Sequence, residues 1–448
     1  MMDGAAHGIR YPWDRAPEPG EAIEVAEGVL WIRLPLPMKL DHVNVYALDE
    51  GDHWTVVDSG VKSRKSIAIW EDILARVLGG KPVGRVILTH YHPDHVGMVG
   101  WLMERFGAEN WTTRTTYAMA RMLMLDVEDT PSPQAQQFWR DAGMSPEMYE
   151  KRLAERPFNL SDLSHMLPTG FVRLQQGDSL HAGGRDWGVH IGNGHAPEHL
   201  TLWSRDDNLV IAGDQILPSI SPNIGVYPAE PMADPLAEWL ESCERLAPLA
   251  REDHLVLGGH KLPFTGLPLR MHQLAENHHG ALERLRDHLA TPRVAGDCFA
   301  PLFKRSIDAG TYGLALSETV AHLNHLLQKG DVTRHRRTGD DRVEKTERRQ
   351  GNAQDVGQDH ADNAAMADHQ HPLTGQLFLP APECPGNAFV ELRHGFATGW
   401  CEMHRILPEP GQVFAVAVMD LLRCQPLPFT KADLLKLLFD MNRQPQAL

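Results

Sequence analysis

Hydrophobic positions near the start of the chain fall in short runs bounded by turn residues, which is how strands read in sequence. Val29-Leu30-Trp31-Ile32-Arg33 lies between Gly28 and Pro35. His42–Leu48 is a second run, stopped by Asp49-Glu50-Gly51-Asp52, and Trp54–Val57 is a third, ending at Asp58-Ser59-Gly60. The spacing predicts an antiparallel meander. From Ser63 to Leu78 the period changes. Ile67, Trp70, Ile73, Leu74, Val77 and Leu78 recur three and four apart, and Gly79-Gly80 ends the stripe, so this stretch predicts a helix. Val86-Ile87-Leu88 reads as a buried strand running into Thr89-His90, with a helix over Val96–Phe106. Residues 115–166 are Met-rich, helical in pattern and broken by Pro131, Pro133, Pro146 and Pro157. They are too long for a connection and read as an inserted helical segment. Strand patterns return at Phe171–Leu174, Trp187–Ile191, Leu200–Trp203, Leu209–Ala212 and His254–Leu257, with helices at Pro235–Leu246 and Leu267–Leu289.

After Thr291-Pro292 the pattern changes again. Short helical pieces lead to Ser317–Gln328, whose face is marked by Val320, Leu323, Leu326 and Leu327. Val332–Arg334 and Arg342–Glu344, separated by Thr338-Gly339-Asp340-Asp341, predict a hairpin, and helices followed by a hairpin suggest a small winged helix. Residues 346–371 hold almost no large apolar side chains and read as a disordered linker. Residues 372–448 regain apolar content without a usable pattern. The expected organisation is a lead-in over 1–20, a main domain over 21–290, a winged-helix-like unit over 291–345, the linker, and a C-terminal segment of no assigned role.

Composition narrows the class. The 448 residues carry 43 Lys+Arg against 59 Asp+Glu, a formal net charge of −16, which argues against broad nucleic-acid binding. No run approaches about 18 consecutive apolar residues, so no membrane span is expected. Met1–Trp13 lacks a basic-then-apolar leader, which predicts a cytoplasmic location. The 5 Cys form no C-x-x-C pair and read as unpaired. The 25 His are the unusual count, since imidazole is the commonest metal ligand.

Spacing turns that count into a site. In Thr89-His90-Tyr91-His92-Pro93-Asp94-His95, His90 and His92 at a strand end project to one side. Pro93 breaks the strand, and Asp94 and His95 fall in the turn that opens the next helix. Four N/O ligands can thus converge, and their types suit zinc, iron or manganese. H-x-H-x-D-H resembles the signature of the metallo-β-lactamase-fold hydrolases. Further motifs occur in that family's order: Gly194-His195-Ala196-Pro197-Glu198-His199, Gly213-Asp214 after Leu209–Ala212, Gly259-His260 after Leu255–Gly258, and the strand-end Asp58.

The resemblance implies an α/β (α+β) fold, a four-layer αββα sandwich with metals at one edge in loops after strands. It implies that His90, His92 and His195 hold one ion, that Asp94, His95 and His260 hold the other, and that Asp214 bridges them. His92 argues against the flavodiiron branch, which carries Glu there. Two zinc ions per chain are expected, with iron or manganese as alternatives, and a metal-bridging hydroxide, oriented by Asp94, as nucleophile. Asp58 and His199 are expected to support the ligands through hydrogen bonds. Tyr227 and Lys261 are candidates for substrate contact, against a packing tyrosine and a solvated lysine. His278-His279, His322 and His325 lie in helical surroundings with no acidic partner pattern and read as structural or solvent-facing. The Met119–Leu125 run reads as core. The C-terminal unit resembles the winged helix attached to one group of these hydrolases. Its basic set, Lys304, Arg305, Lys329, Arg334, Arg336 and Arg337, raises nucleic acid as an alternative partner, behind a small acyl compound. The expected activity is hydrolysis of an ester, thioester or lactone, as in glyoxalase-II-like and lactonase-like members. The alternatives are a phosphodiesterase or ribonuclease, a β-lactamase, or a mononuclear iron dioxygenase using His90, His195 and Asp214.

Overall fold

The structure, a computed structural model, describes residues 8–303, 305–337 and 340–345. The linker and C-terminal segment expected after Thr346 lie outside the described residues, as does Lys304. The elements in chain order are strands β1 (Ala22–Ala26), β2 (Val29–Pro35), β3 (His42–Asp49) and β4 (Trp54–Val57), helix α1 (Arg64–Asp72), which passes into a π turn at Ile73–Val77, strand β5 (Val83–Ile87), helices α2 (Pro93–Val96) and α3 (Val99–Phe106), and strand β6 (Glu109–Thr112). Helices α4 (Arg114–Leu125), α5 (Pro133–Asp141) and α6 (Pro146–Ala154) follow. Then come strands β7 (Val172–Arg173), β8 (Ser179–Ala182), β9 (Arg185–Gly192), β10 (His199–Ser204) and β11 (Leu209–Gly213), helix α7 (Pro235–Leu246), strand β12 (Leu255–Gly258), and helices α8 (Leu267–His288), α9 (Phe299–Phe303) and α10 (Tyr312–Gln328). Strands β13 (Val332–Arg337) and β14 (Asp340–Lys345) close the described chain.

Two mixed sheets form the middle of an αββα sandwich. The first runs β1-β2-β3-β4-β5-β6-β7, antiparallel up to β4 and parallel beyond it. The second runs β12-β11-β10-β9-β8, with only β11 and β12 parallel. Three apolar layers explain the order. Alternate side chains of β2 and β3, Trp31, Tyr46 and Leu48, meet Trp187, Val189, Leu200, Leu202 and Ile211 of the second sheet. Their neighbours Ile32, Leu34, Val43 and Val45 face the other way, onto Trp70, Ile73 and Leu102 of the outer helices. Val210 and Ala212 of β11 likewise turn outward onto Trp239 and Leu274 of α7 and α8. A strand covered on both faces has no polar side, which is why β11 reads as an unbroken apolar run.

Several sequence expectations are corrected. The inserted segment is divided as expected, but Pro133 and Pro146 mark helix starts rather than interruptions: each stands at the first helical position behind a serine, Ser132 and Ser145, whose hydroxyl caps the turn. Proline is suited there because its missing N–H would have had no partner. The helix expected over Val96–Phe106 is present as α3 but begins at Val99, since Val96 closes the separate turn α2. Met124 is buried, whereas Met122 and Leu125 are exposed, so only part of that run is core. The lead-in is not free: Arg10 pairs with Thr265, and the Trp13 ring packs edge-on against Trp31 at 6.4 Å. Cys243 and Cys298 are buried free thiols; the other cysteines lie outside the described residues.

The expected order of helices and then a hairpin is present after residue 291, but these elements have no core of their own. Leu316, Leu323, Leu326, Val332 and Val343 join the layer built by α7 and α8. A Leu323→Ala variant should therefore lose about 2–5 kcal/mol while residues 8–345 still unfold in one step. Denaturant titration followed by tryptophan fluorescence and circular dichroism checks this. Two separated transitions would mean an independent unit.

Candidate metal centre

Five strand ends meet at one edge of the sandwich. The chain leaving β5 is pinned first. Asp58, just past β4, accepts the Thr89 N–H (2.9 Å) and the Thr89 hydroxyl (2.8 Å) on its two oxygens, and Oδ2 also faces His95 Nδ1 at 2.7 Å. Asp58 does this from a left-handed backbone, φ 61°, which Asp tolerates better than most residues. Thr89 Oγ1 in turn accepts from His90 Nδ1 at 3.0 Å. Pro93 opens the single turn α2, which carries Asp94 and His95.

From the second sheet come the remaining residues. His195 follows β9 and donates Nδ1–H to the Asn223 carbonyl (2.8 Å). Asp214 follows β11, and His199 Nε2 accepts its N–H (3.1 Å). His260 follows β12 and donates Nδ1–H to the His42 carbonyl (2.8 Å). Strand β3 of the first sheet clamps that end: Asn44 N–H bonds Gly259 O (2.7 Å), and its amide donates to Gly258 O and Lys261 O. Because a carbonyl or carboxylate only accepts, His95, His195 and His260 donate from Nδ1 and can offer the Nε2 lone pair to the interior, whereas His199 Nε2 is taken by the Asp214 N–H.

Those lone pairs converge. His90 Nε2 is 3.0 Å from His92 Nδ1 and 3.3 Å from His195 Nε2. His95 Nε2 is 3.6 Å from Asp94 Oδ2 and 3.5 Å from Asp214 Oδ1. His260 Nε2 is 3.4 Å from Asp94 Oδ2 and 3.1 Å from Asp214 Oδ2, whose same oxygen is 3.6 Å from His195 Nε2. The donor atoms of His90, His92 and His195 lie within 4.8 Å of one another, as do those of His90, His95 and Asp214, and those of Asp94, His95 and His260. All seven predicted ligands are thus brought together.

The electrostatics divide the site in two. Burial, reinforced by neighbouring imidazoles, pushes His90 far below its ordinary range and His92 to about 3, so both are neutral and carry lone pairs. At His95 and His260 burial acts the same way, but Asp214 and Asp94 outweigh it; His95 goes well above the usual range and His260 to about 10. Against burial, which favours the neutral acid, His260 and His95 hold Asp214 well below the carboxylate range, and His95 and His260 bring Asp94 to about 2. Neutral imidazoles at His90 and His92 thus stand beside two carboxylates whose partners, His95 and His260, hold protons that a bound cation would displace.

These residues fit cations. His95 Nε2 and Asp214 Oδ1 are buried atoms with no hydrogen-bond partner. Gly259 keeps space open, since a Cβ there would lie 2.2 Å from Asp214 Oδ1 and 2.8 Å from His95 Cε1. Nitrogen and carboxylate donors of this kind suit zinc, and also iron or manganese.

The supporting residues land as follows. Asp58 and His199 touch ligand residues, and the His199 ring stacks on His90 at 4.6 Å. Lys261 enters through its backbone, whose N–H donates to His42 Nε2 (2.9 Å) at φ 69°. Tyr227 is 44% exposed and sits beside Ser317 of α10, outside the cluster. His42, Asn44, Thr89 and Asn223 were missed. His42 and Asn223 orient their rings through backbone carbonyls, which sequence does not distinguish; the Gly258-Gly259 pair before His260 was the one available signal.

This fold and donor set define a class, and comparison agrees. Residues 38–287 match the model of the metallo-β-lactamase superfamily, and residues 282–348 match that of the metallo-β-lactamase-like C-terminal domain. The chain belongs to the metallo-β-lactamase superfamily. It is similar to a β-lactamase domain protein from Burkholderia ambifaria, with 37% identity over 75% of this chain and 98% of that one and a TM-score of 0.69. A metallo-β-lactamase family protein from Thermus thermophilus shares 28% identity over 72% of this chain and all of that one, TM-score 0.60. A "probable metallo-hydrolase", YqjP of Bacillus subtilis, is 24% identical over 68% of this chain and 94% of its own length.

Asp58→Asn should weaken metal retention about 10–100-fold, as loss of a partner behind a ligand does. Gly259→Ala should impair it more while leaving the fold intact. Competition against a chromophoric chelator reads both, and unchanged affinity in both would mean that this pocket does not hold the ion.

Proposed function

We propose that the protein is a hydrolase with two zinc ions, acting on an ester, thioester or lactone of a small acyl compound. The convergence of all seven donors carries this reading. It favours a two-ion centre over a single iron held by His90, His195 and Asp214 alone. His90, His92 and His195 would hold one ion, and Asp94, His95 and His260 the other, with Asp214 between them. When bound, the ions would polarise the substrate carbonyl and lower the pKa of a water to about 7.

The chain's own residues supply the rest. Asp94 is the more accessible carboxylate, its side chain 16% exposed against 8% for Asp214. Held ionised, Asp94 would orient the attacking water while helping to hold the ion. The Asn223, His42 and Asp58 oxygens keep His195, His260 and His95 from turning. No serine or cysteine nucleophile is needed. Exposed Tyr227 and Leu314 flank Asn223, whose amide donates to the Leu314 carbonyl (3.3 Å), and give the mouth an apolar side suited to an acyl group. We assign the C-terminal helices and hairpin, in a winged-helix-like arrangement, to shaping this mouth.

A panel of thioesters, esters, lactones, phosphodiesters and β-lactams tests the reading. Acyl substrates should turn over, chelation should abolish this, and zinc should restore it. Asp94→Asn should lower kcat/KM by about 10²–10⁴-fold. Turnover confined to phosphodiesters or β-lactams would overturn the substrate class, and one iron per chain would overturn the two-zinc centre.

A further inference from the structure

A second cluster lies behind the first, between α8 and α10. His278 comes from α8, and Glu318 and His322 stand four apart on one face of α10. Their donor atoms fall within 4.8 Å of one another. His278 and His322 are 4% and 2% exposed. None of the three belongs to the centre described above.

The hydrogen bonds around the cluster fix which atoms face inward. His322 Nδ1 lies 2.8 Å from the Glu318 carbonyl, which only accepts, so Nδ1 carries the proton and Nε2 the lone pair. That lone pair points at His278 Nδ1, 3.2 Å away. On its far side, His278 Nε2 faces the Ser221 hydroxyl at 3.3 Å, a ready acceptor for an N–H there. With the proton on Nε2, two imidazole lone pairs point at each other across 3.2 Å. Two nitrogens bound to one tetrahedral zinc at about 2.0–2.1 Å stand about 3.3 Å apart. The half-buried Glu318 carboxylate is held on one oxygen by the Asn223 amide (2.8 Å); Arg305 acts on it through its field, without a close ion pair among the described residues. Two neutral rings and a carboxylate with no cation in contact make a donor set suited to a metal ion.

We propose that His278 Nδ1, His322 Nε2 and a Glu318 carboxylate oxygen form a third divalent-cation site, suited to zinc, with water completing its coordination. The ligand backing follows the usual pattern, in which each ring's other nitrogen is engaged by a carbonyl or hydroxyl. Burial pushes His278 to about 3 and His322 to about 4, so neither ring loses its lone pair to a proton at neutral pH. Without a cation, burial also raises Glu318 to about 7; a bound ion would keep it ionised. The site does not rest on the substrate assignment and shares no donor residue with the two-ion centre.

Zinc titration of the metal-free full chain, with a competing chelator, tests it by difference. His360, His369 and His371 add the same background to every variant, so only the difference counts. His278→Ala and His322→Ala should each bind one equivalent less than the parent, and the same loss should appear in a His92→Ala/His195→Ala background. Glu318→Gln, which retains an acceptor for Asn223, should bind the third ion at least about tenfold more weakly and serves where the alanine variants do not fold. Crystals soaked in zinc should show an anomalous peak between the two rings. Equal stoichiometry in parent and variants, or no peak, would overturn the site and leave a plain His–His hydrogen bond.

Discussion

Burying carboxylates is the constraint on which the rest of this structure depends. Asp58, Asp94 and Asp214 are all withdrawn from water at one edge of the sandwich, and an uncompensated buried carboxylate is costly. Compensation must come from groups at fixed distances, so the backbone that carries them cannot be soft. It is built at the ends of β4, β5, β9, β11 and β12, where paired strands set each exit point. Conformations that most residues avoid then aim the chain inward: Asp58 at φ 61°, Gly194 at 97°, Gly213 at 49° and Lys261 at 69°. Gly259 serves the same end by absence, because any side chain there would occupy the space between Asp214 and His95.

The two sheets are joined through this edge as well as through their apolar layer. Asn44 on β3 bonds three backbone groups around β12, and the Tyr46 hydroxyl donates to Gly258 O at 2.7 Å. The His42 carbonyl orients His260 from the same strand. The ligand from the second sheet is therefore positioned by the first, which couples correct sheet packing to a correctly formed site.

Much of this was legible because period and spacing are local. Strands buried on both faces read as apolar runs, and β11 and β12 were found that way. H-x-H-x-D-H was legible because strand alternation followed by a proline-started turn dictates where its side chains point. The short strands β1, β6 and β8 were not found. Ser179–Ala182 alternates exposed and buried positions over only four residues, so its state is set by pairing with β9 rather than by its own composition. His325 was read as having no acidic partner, yet Asp234, the cap of α7, stands 3.0 Å from its Nδ1. Glu318 and His322 were four apart in plain view. What hid them was the third member, His278, which reaches them only because α8 and α10 pack together.

That packing also changes how the C-terminal elements relate to the edge that carries the candidate metal centre. Helix α10 shares its apolar face with α7 and α8, and its first turns reach the site by a short chain of bonds. His195 Nδ1 donates to the Asn223 carbonyl at 2.8 Å, and the Asn223 amide donates to Glu318 at 2.8 Å. The tautomer of His195 therefore rests on a loop residue whose side chain is anchored on α10. A change at Glu318 would be felt at His195 with no contact between them, through the freedom given to Asn223. In this chain the elements beyond residue 291 form part of the wall that orients a candidate ligand, and variation there offers a route to altering the site while every donor residue stays in place.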